Sequence, residues 1–269
     1  MNLMTTLSPP SDVRTAQLLW LGQAGFVIRA AGVRETLVID PYVTAHPARR
    51  FPAVLSAAQL AALPDVCVLV THAHYDHLDD AVLAALSPQS RLIVPAGIAA
   101  LAAERTAATV VGLAVGEHAV HGPWTVTLTP AMHAETVPPA DYVLSDPARP
   151  IFSGFHLDGP VRIYHAGDTL DCAELDAALA GRAVDVALLP INGRTPEREA
   201  QDIAGNLEPA EAVALARRLG AGTLVPLHWD MFAGNTGDLG ALTAALTDPR
   251  TDPVLAIPAH GREIAIGRG

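Results

Sequence analysis

Cysteine, aromatic side chains, positive charge and long apolar runs are all scarce in this chain of 269 residues, and each scarcity excludes something. Two cysteines, Cys67 and Cys172, cannot build a disulfide framework. Cys67 lies inside an apolar strand and reads as a buried thiol. Seventeen basic residues against twenty-eight acidic ones leave a net charge of −11. That balance argues against nucleic-acid or anionic-membrane surfaces, which need clustered cations. No apolar run is long enough to span a bilayer, and the opening "MNLMTTLSPPSDVR" has no basic segment followed by an apolar core. A cytoplasmic protein acting on a small molecule is therefore expected. Half of the residues are hydrophobic but only 4% aromatic, so the core must be packed mainly with Ala, Leu and Val.

No linker or low-complexity block divides the chain. Residues 1–14 read as a tail and residues 15–269 as a single domain. Short apolar segments punctuated by glycine ("QLLWLG", "GFVIRA", "ETLVID") suggest an antiparallel meander, after which strands and helices alternate. A similar order appears twice, and "IFSGFHL" and "VRIYHAG" look like a hairpin joined by "DGP". In "PAEAVALARRLG", Pro209 suits a first helical turn and Gly220 a stop. Two sheets packed face to face with helices outside satisfy this pattern.

The chemistry concentrates in "VTHAHYDHLDD", residues 70–80, directly after the apolar run "VCVLV". His72 and His74 are two apart on an extended segment, so their rings leave on one side. Asp76 and His77 follow as the chain turns toward a helix, giving a second adjacent pair. Imidazoles with carboxylates suit zinc, manganese or iron better than calcium or magnesium. Three further candidates each follow an apolar strand: His133 in "TPAMHAE", Asp168 in "YHAGDT" and His228 in "VPLHWD".

"HAHYDHLD" resembles the HxHxDH signature of the metallo-β-lactamase superfamily, and the later His, Asp and His stand in that family's order. "LLWLGQAGFVI", "LVIDPY", "LPINGR" and "PLHWDMFAGNTGD" are similar to the branch around the ascorbate-6-phosphate lactonases, the UlaG-like proteins. The resemblance covers roughly residues 17–265 and implies an α/β fold of four layers, αββα, with two mixed sheets. It implies two divalent metal ions, with zinc the usual default and manganese a serious rival. His72, His74 and His133 would hold the first; Asp76, His77 and His228 would hold the second; Asp168 would bridge. Asp40 matches a supporting residue, although it equally suits a cap on the turn at Pro41.

Such a pair lowers the pKa of bound water from about 16 to about 7 and polarises the electrophile. The implied reaction is hydrolysis of an ester or lactone in a small anionic metabolite, with Asp76 or Asp168 orienting the attacking hydroxide. A phosphodiesterase of the phospholipase D type is the nearest alternative. A mononuclear-iron oxidoreductase and a metal-binding sensor are more distant ones. Asn192 and Arg194 are candidates for substrate contact, since an arginine fork matches phosphate or carboxylate. Asp230 and His260 are further candidates, as are Asn235 and Thr236 near His228. Arg49 and Arg50 carry a weaker signal, and a solvated loop accounts for them as well. His46, His118, His121 and His156 have no motif behind them and read as surface or structural histidines. Relatives of this type often assemble, so a homo-oligomer is compatible with the sequence.

Overall fold

A computed structural model describes residues 14–136 and 142–268. Nearly all of the tail expected at residues 1–14 lies outside the described residues. The first run of elements is β1 (Thr15–Gly22), β2 (Gly25–Ala30), β3 (Thr36–Ile39), α1 (Ala57–Ala61), β4 (Val66–Leu69), α2 (Asp80–Ala85), β5 (Arg91–Pro95), α3 (Ala99–Ala103) and β6 (Thr109–Leu113). The next strands are β7 (His118–His121), β8 (Trp124–Pro130), β9 (Met132–His133), β10 (Val143–Leu144), β11 (Ser153–Asp158) and β12 (Ile163–His165). Then come α4 (Ala173–Leu179), β13 (Val186–Pro190), α5 (Pro196–Glu199), α6 (Pro209–Arg218), β14 (Thr223–Leu227), α7 (Leu239–Ala245), β15 (Val254–Leu255) and β16 (Glu263–Gly267).

These strands form two seven-stranded mixed sheets, ordered β16-β1-β2-β3-β4-β5-β6 and β15-β14-β13-β12-β11-β8-β7. In each, an antiparallel part joins a parallel one: β3, β4, β5 and β6 run parallel, as do β12, β13, β14 and β15. Alternation along β1 shows why the sheets stack. Leu18 and Trp20 enter the core between the sheets, while Leu19 and Leu21 enter a second core under the helices. The central core joins Phe26, Ile39 and Leu69 of one sheet to Trp124, Phe155 and Leu188 of the other. A third core packs α4, α6 and α7 on the second sheet through Leu175, Val213 and Leu242. Strands covered on both faces must be apolar throughout, as "VCVL" and "VALLP" are.

The expected αββα architecture is formed. The "DGP" hairpin pairs β11 with β12, and Gly220 takes a positive φ of 62° at the end of α6. In "PVLAIP" only Val254–Leu255 pairs, on a sheet edge, where flanking prolines cannot continue the ladder. Helix α3 and strand β7 were not anticipated; β7 sits at a sheet edge, where polar residues are tolerated. No helix among the described residues is long and apolar enough to cross a membrane.

The parallel strands end at one rim, and three of their exits carry the candidate ligands. One turn there has no room to spare. Gly167 has a φ of +62°, and a Cβ on it would lie 2.6 Å from the Ser153 carbonyl and 2.9 Å from the Thr71 side chain. The left-handed conformation alone costs a non-glycine residue about 1–2 kcal/mol. Gly167→Ala is therefore expected to lower the thermal midpoint by at least about 2–4 °C. An unchanged midpoint in a thermal melt would contradict the tight packing of this turn.

Candidate metal centre

His72, His74, Asp76 and His77 leave the end of β4, and Asp79 closes the segment by capping α2 through the Ala81 and Val82 N–H groups. His133 comes from β9, Asp168 follows β12, and His228 follows β14. Three overlapping groups result: His72 with His74 and His133; His72 with His77 and Asp168; Asp76 with His77 and His228. Within each group the facing ligand atoms lie within 4.8 Å of one another. Six of the seven side chains are buried, His74 being partly exposed.

Hydrogen bonds set which ring nitrogen faces inward. Asp40 accepts the Thr71 N–H at 2.8 Å and the Thr71 hydroxyl at 2.6 Å. The Thr71 oxygen, having donated its proton, accepts from His72 Nδ1 at 3.0 Å, which leaves a lone pair on His72 Nε2. His74 Nε2 donates to the Glu135 carbonyl at 3.3 Å, which turns Nδ1 inward. His72 Nε2 and His74 Nδ1 stand 2.9 Å apart, with His133 Nε2 another 3.4 Å from His74 Nδ1. His77 Nδ1 donates to Asp40 at 2.8 Å, and its buried Nε2 has no hydrogen-bond partner.

Asp168 lies between the sets. Its Oδ2 is 3.7 Å from His133 Nε2 and 3.2 Å from His228 Nε2, and its unpartnered Oδ1 is 3.5 Å from His77 Nε2. Asp76 approaches His77 at 3.9 Å and His228 at 3.7 Å. Converging lone pairs, two carboxylates and orphaned buried atoms are what a divalent cation requires, so the residues fit such an ion.

Charge follows the same logic. Burial, together with the neighbouring rings, holds His72 well below the usual imidazole range. Burial pushes His133 down to about 3 although Asp168 opposes it. Burial also disfavours a charged His77, but Asp168, Asp40 and Asp76 outweigh it and raise that ring to about 10. Burial opposes ionisation of Asp168 as well, yet His228 and His77 hold its carboxyl well below the ordinary carboxylate range.

The centre opens into a cavity of about 400 Å³ whose wall includes His46, Tyr75, Glu135, Asp202, Phe232 and Asn235. His46 stacks on Tyr75 with ring centres 5.9 Å apart and meets Phe232 edge-on at 5.6 Å. A lone histidine in "TAHPARR" gave no hint of that position. Other sequence candidates are placed differently. Arg194 spends its fork on Glu211 at 2.8 Å twice and on the Asn206 carbonyl, tying the β13 exit to α6. Its expected contact with an anionic group is thereby replaced by an internal ion pair. Asn192 is buried and donates to Asn235 Oδ1 at 2.9 Å, so it supports the cavity wall rather than forming it. His260 Nε2 donates to the Leu21 carbonyl at 3.1 Å and packs on Phe51. Asp230 is buried beside His228 and pushed up to about 6 by that burial. Arg49 bonds the Tyr42, Thr44 and Phe51 carbonyls, and Arg50 reaches the Asp230 carbonyl. None of these six side chains lines the cavity.

A four-layer sandwich with a His- and Asp-rich centre at its strand ends defines a metallo-hydrolase fold. The model of the beta-lactamase superfamily domain matches residues 35–229. A UPF0173 metal-dependent hydrolase from Methanoculleus marisnigri is 31% identical over 257 residues, 93% of this chain and 97% of that protein. A UPF0173 metal-dependent hydrolase from Pyrococcus abyssi is 33% identical, covering 81% of this chain and 87% of its own. Igni18, a metallo hydrolase from Ignicoccus hospitalis, superposes with a TM-score of 0.72 at 21% identity, covering 95% of this chain and 100% of that one; this likeness concerns the fold. The chain belongs to the beta-lactamase superfamily and, within it, to the UPF0173 metal-dependent hydrolases.

Raised to about 10, His77 is protonated at pH 7 and must lose that proton before it can bind a cation. Metal uptake is expected to release about one proton per chain. Titration calorimetry in buffers of different ionisation heat should show that release at pH 7, and heats independent of buffer would contradict it.

Proposed function

We propose that the protein hydrolyses an ester or lactone of a small metabolite at a dinuclear centre. His72, His74 and His133 would hold one divalent cation and Asp76, His77 and His228 the other, with Asp168 between the two sets. The supporting observation is the convergence of these side chains, with His77 Nε2 and Asp168 Oδ1 left unpartnered and with His74, Asp76, His133, Asp168 and His228 lining one cavity. When bound, two cations acidify water and polarise the scissile carbonyl. The chain's own groups do the rest. Asp168, fixed between the two sets and ionised, is placed to orient the attacking water and return a proton to the leaving group. His46, Tyr75 and Phe232 offer the substrate an aromatic wall.

Zinc suits the three-imidazole set, and manganese is the alternative for the more oxygen-rich set. The protein acts as a small-molecule enzyme of the cytoplasm. Among the described residues of the cavity wall no arginine appears, Glu135 and Asp202 stand there, and the sequence contains no lysine. An anionic group on the substrate would therefore find its counter-charge only in the cations. That favours the ester or lactone over the phosphodiester.

The test is turnover by metal-loaded protein on matched panels of lactones, carboxylic esters and phosphodiesters. Turnover is expected on the first two, and His74→Ala should lose at least about 100-fold together with metal. Exclusive phosphodiester cleavage, or full turnover and metal content in His74→Ala, would contradict the proposal.

A further inference from the structure

The turn between β1 and β2 holds a residue that neither the ligand set nor the substrate wall accounts for. Gln23 is fully buried and takes a φ of +53°, in the left-handed region that side chains with a Cβ rarely adopt. Its backbone carbonyl accepts the Trp20 indole N–H at 3.2 Å and the His228 backbone N–H at 3.0 Å. His228 itself has a φ of +56°. Trp20 and Trp229 stack with ring centres 5.4 Å apart and planes 12° from parallel, clamping the turn to the β14 exit. On the other side the Ala24 carbonyl accepts from His165 Nε2 at 2.8 Å, beside the turn that carries Asp168.

From this anchorage the Gln23 side-chain nitrogen reaches Asp76 Oδ2 at 2.6 Å and His228 Nε2 at 3.0 Å. Those atoms belong to two of the three residues in the Asp76–His77–His228 group. The other end of the amide, Oε1, is buried with no partner. A strained backbone and an unsatisfied oxygen are a poor choice for a mere filler. They make sense if the amide has a second use. Here the N–H₂ end supplies partial positive charge where a carboxylate oxygen and an imidazole nitrogen converge. The two ends of an amide are nearly isosteric, so a half-turn about its last bond exchanges them without moving the backbone.

Resting on the dinuclear reading, we propose that Gln23 is an eighth ligand-bearing residue. Its N–H₂ end holds Asp76 and His228 together in the metal-free protein, and its Oε1 turns inward to the cation of the Asp76–His77–His228 set. That set then offers two oxygen donors with two imidazoles, against three imidazoles in the other. The difference favours a harder ion such as Mn²⁺ in the second position.

The experiment is calorimetric titration of Mn²⁺ into metal-stripped wild type, Gln23→Ala and Gln23→Glu, with thermal melts of each to show that it folds. Wild type is expected to bind two ions. Gln23→Ala should keep one at wild-type affinity and bind the other at least about 10-fold more weakly. Gln23→Glu should bind that ion more tightly than wild type, since a charged oxygen replaces a neutral one at the same reach. The glutamate variant decides the matter even if the alanine variant fails to fold. If Gln23→Glu weakens the second ion, the amide serves only as a donor to Asp76 and the proposal is overturned. Two wild-type ions with unchanged binding in Gln23→Ala overturns it as well, leaving the dinuclear reading intact. Fewer than two ions in the wild type overturns both.

Discussion

His72 Nε2 and His74 Nδ1 face each other at 2.9 Å, and the far nitrogens of both rings are engaged by Thr71 and the Glu135 carbonyl. Two ring nitrogens at that distance need a positive centre between or beside them, a shared proton or a cation. The same condition recurs around Asp168, whose ionised carboxylate is ringed by three imidazoles. The fold is a device for enforcing these approaches. Parallel strands from two sheets end at one rim, and the apolar core between them fixes where each exit points.

Enforcement is visible in the backbone. Gln23, Asp40 and His228 all have positive φ, and all three touch the centre directly or through one hydrogen bond. Such conformations persist only where the surroundings leave no alternative. Asp40 shows how: buried completely, it takes two hydrogen bonds from Thr71 and one from His77, so one carboxylate sets the orientation of two neighbouring rings. Stability supplied by packed Leu, Val and Ile elsewhere offsets strain at the rim, a common division of labour between core and site.

Much of this was legible before any coordinates. Strands buried on both faces announce themselves as unbroken apolar runs, and "HAHYDH" at the end of one is too dense in imidazole for a turn. His133, Asp168 and His228 stood out as strand-end residues but were separately ambiguous; family order joined them to one centre, because convergence of residues so far apart in the chain leaves no local trace. Arg194 shows the opposite failure. A strand-end arginine looks free until a helix seventeen residues further on brings Glu211 to it. Gln23 and His46 were passed over for a related reason: glutamine in a glycine-flanked turn and histidine in a proline loop are ordinary. Only the tertiary structure shows one against Asp76 and the other on the cavity wall.

The central claim is that seven side chains from distant loops enclose two cations, and anomalous diffraction from crystals of the metal-loaded protein, recorded at the metal's absorption edge, addresses it most directly. Two peaks are predicted, one among His72, His74 and His133 and one among Asp76, His77 and His228, with Asp168 in contact with both. A single peak, or peaks away from these residues, would contradict it.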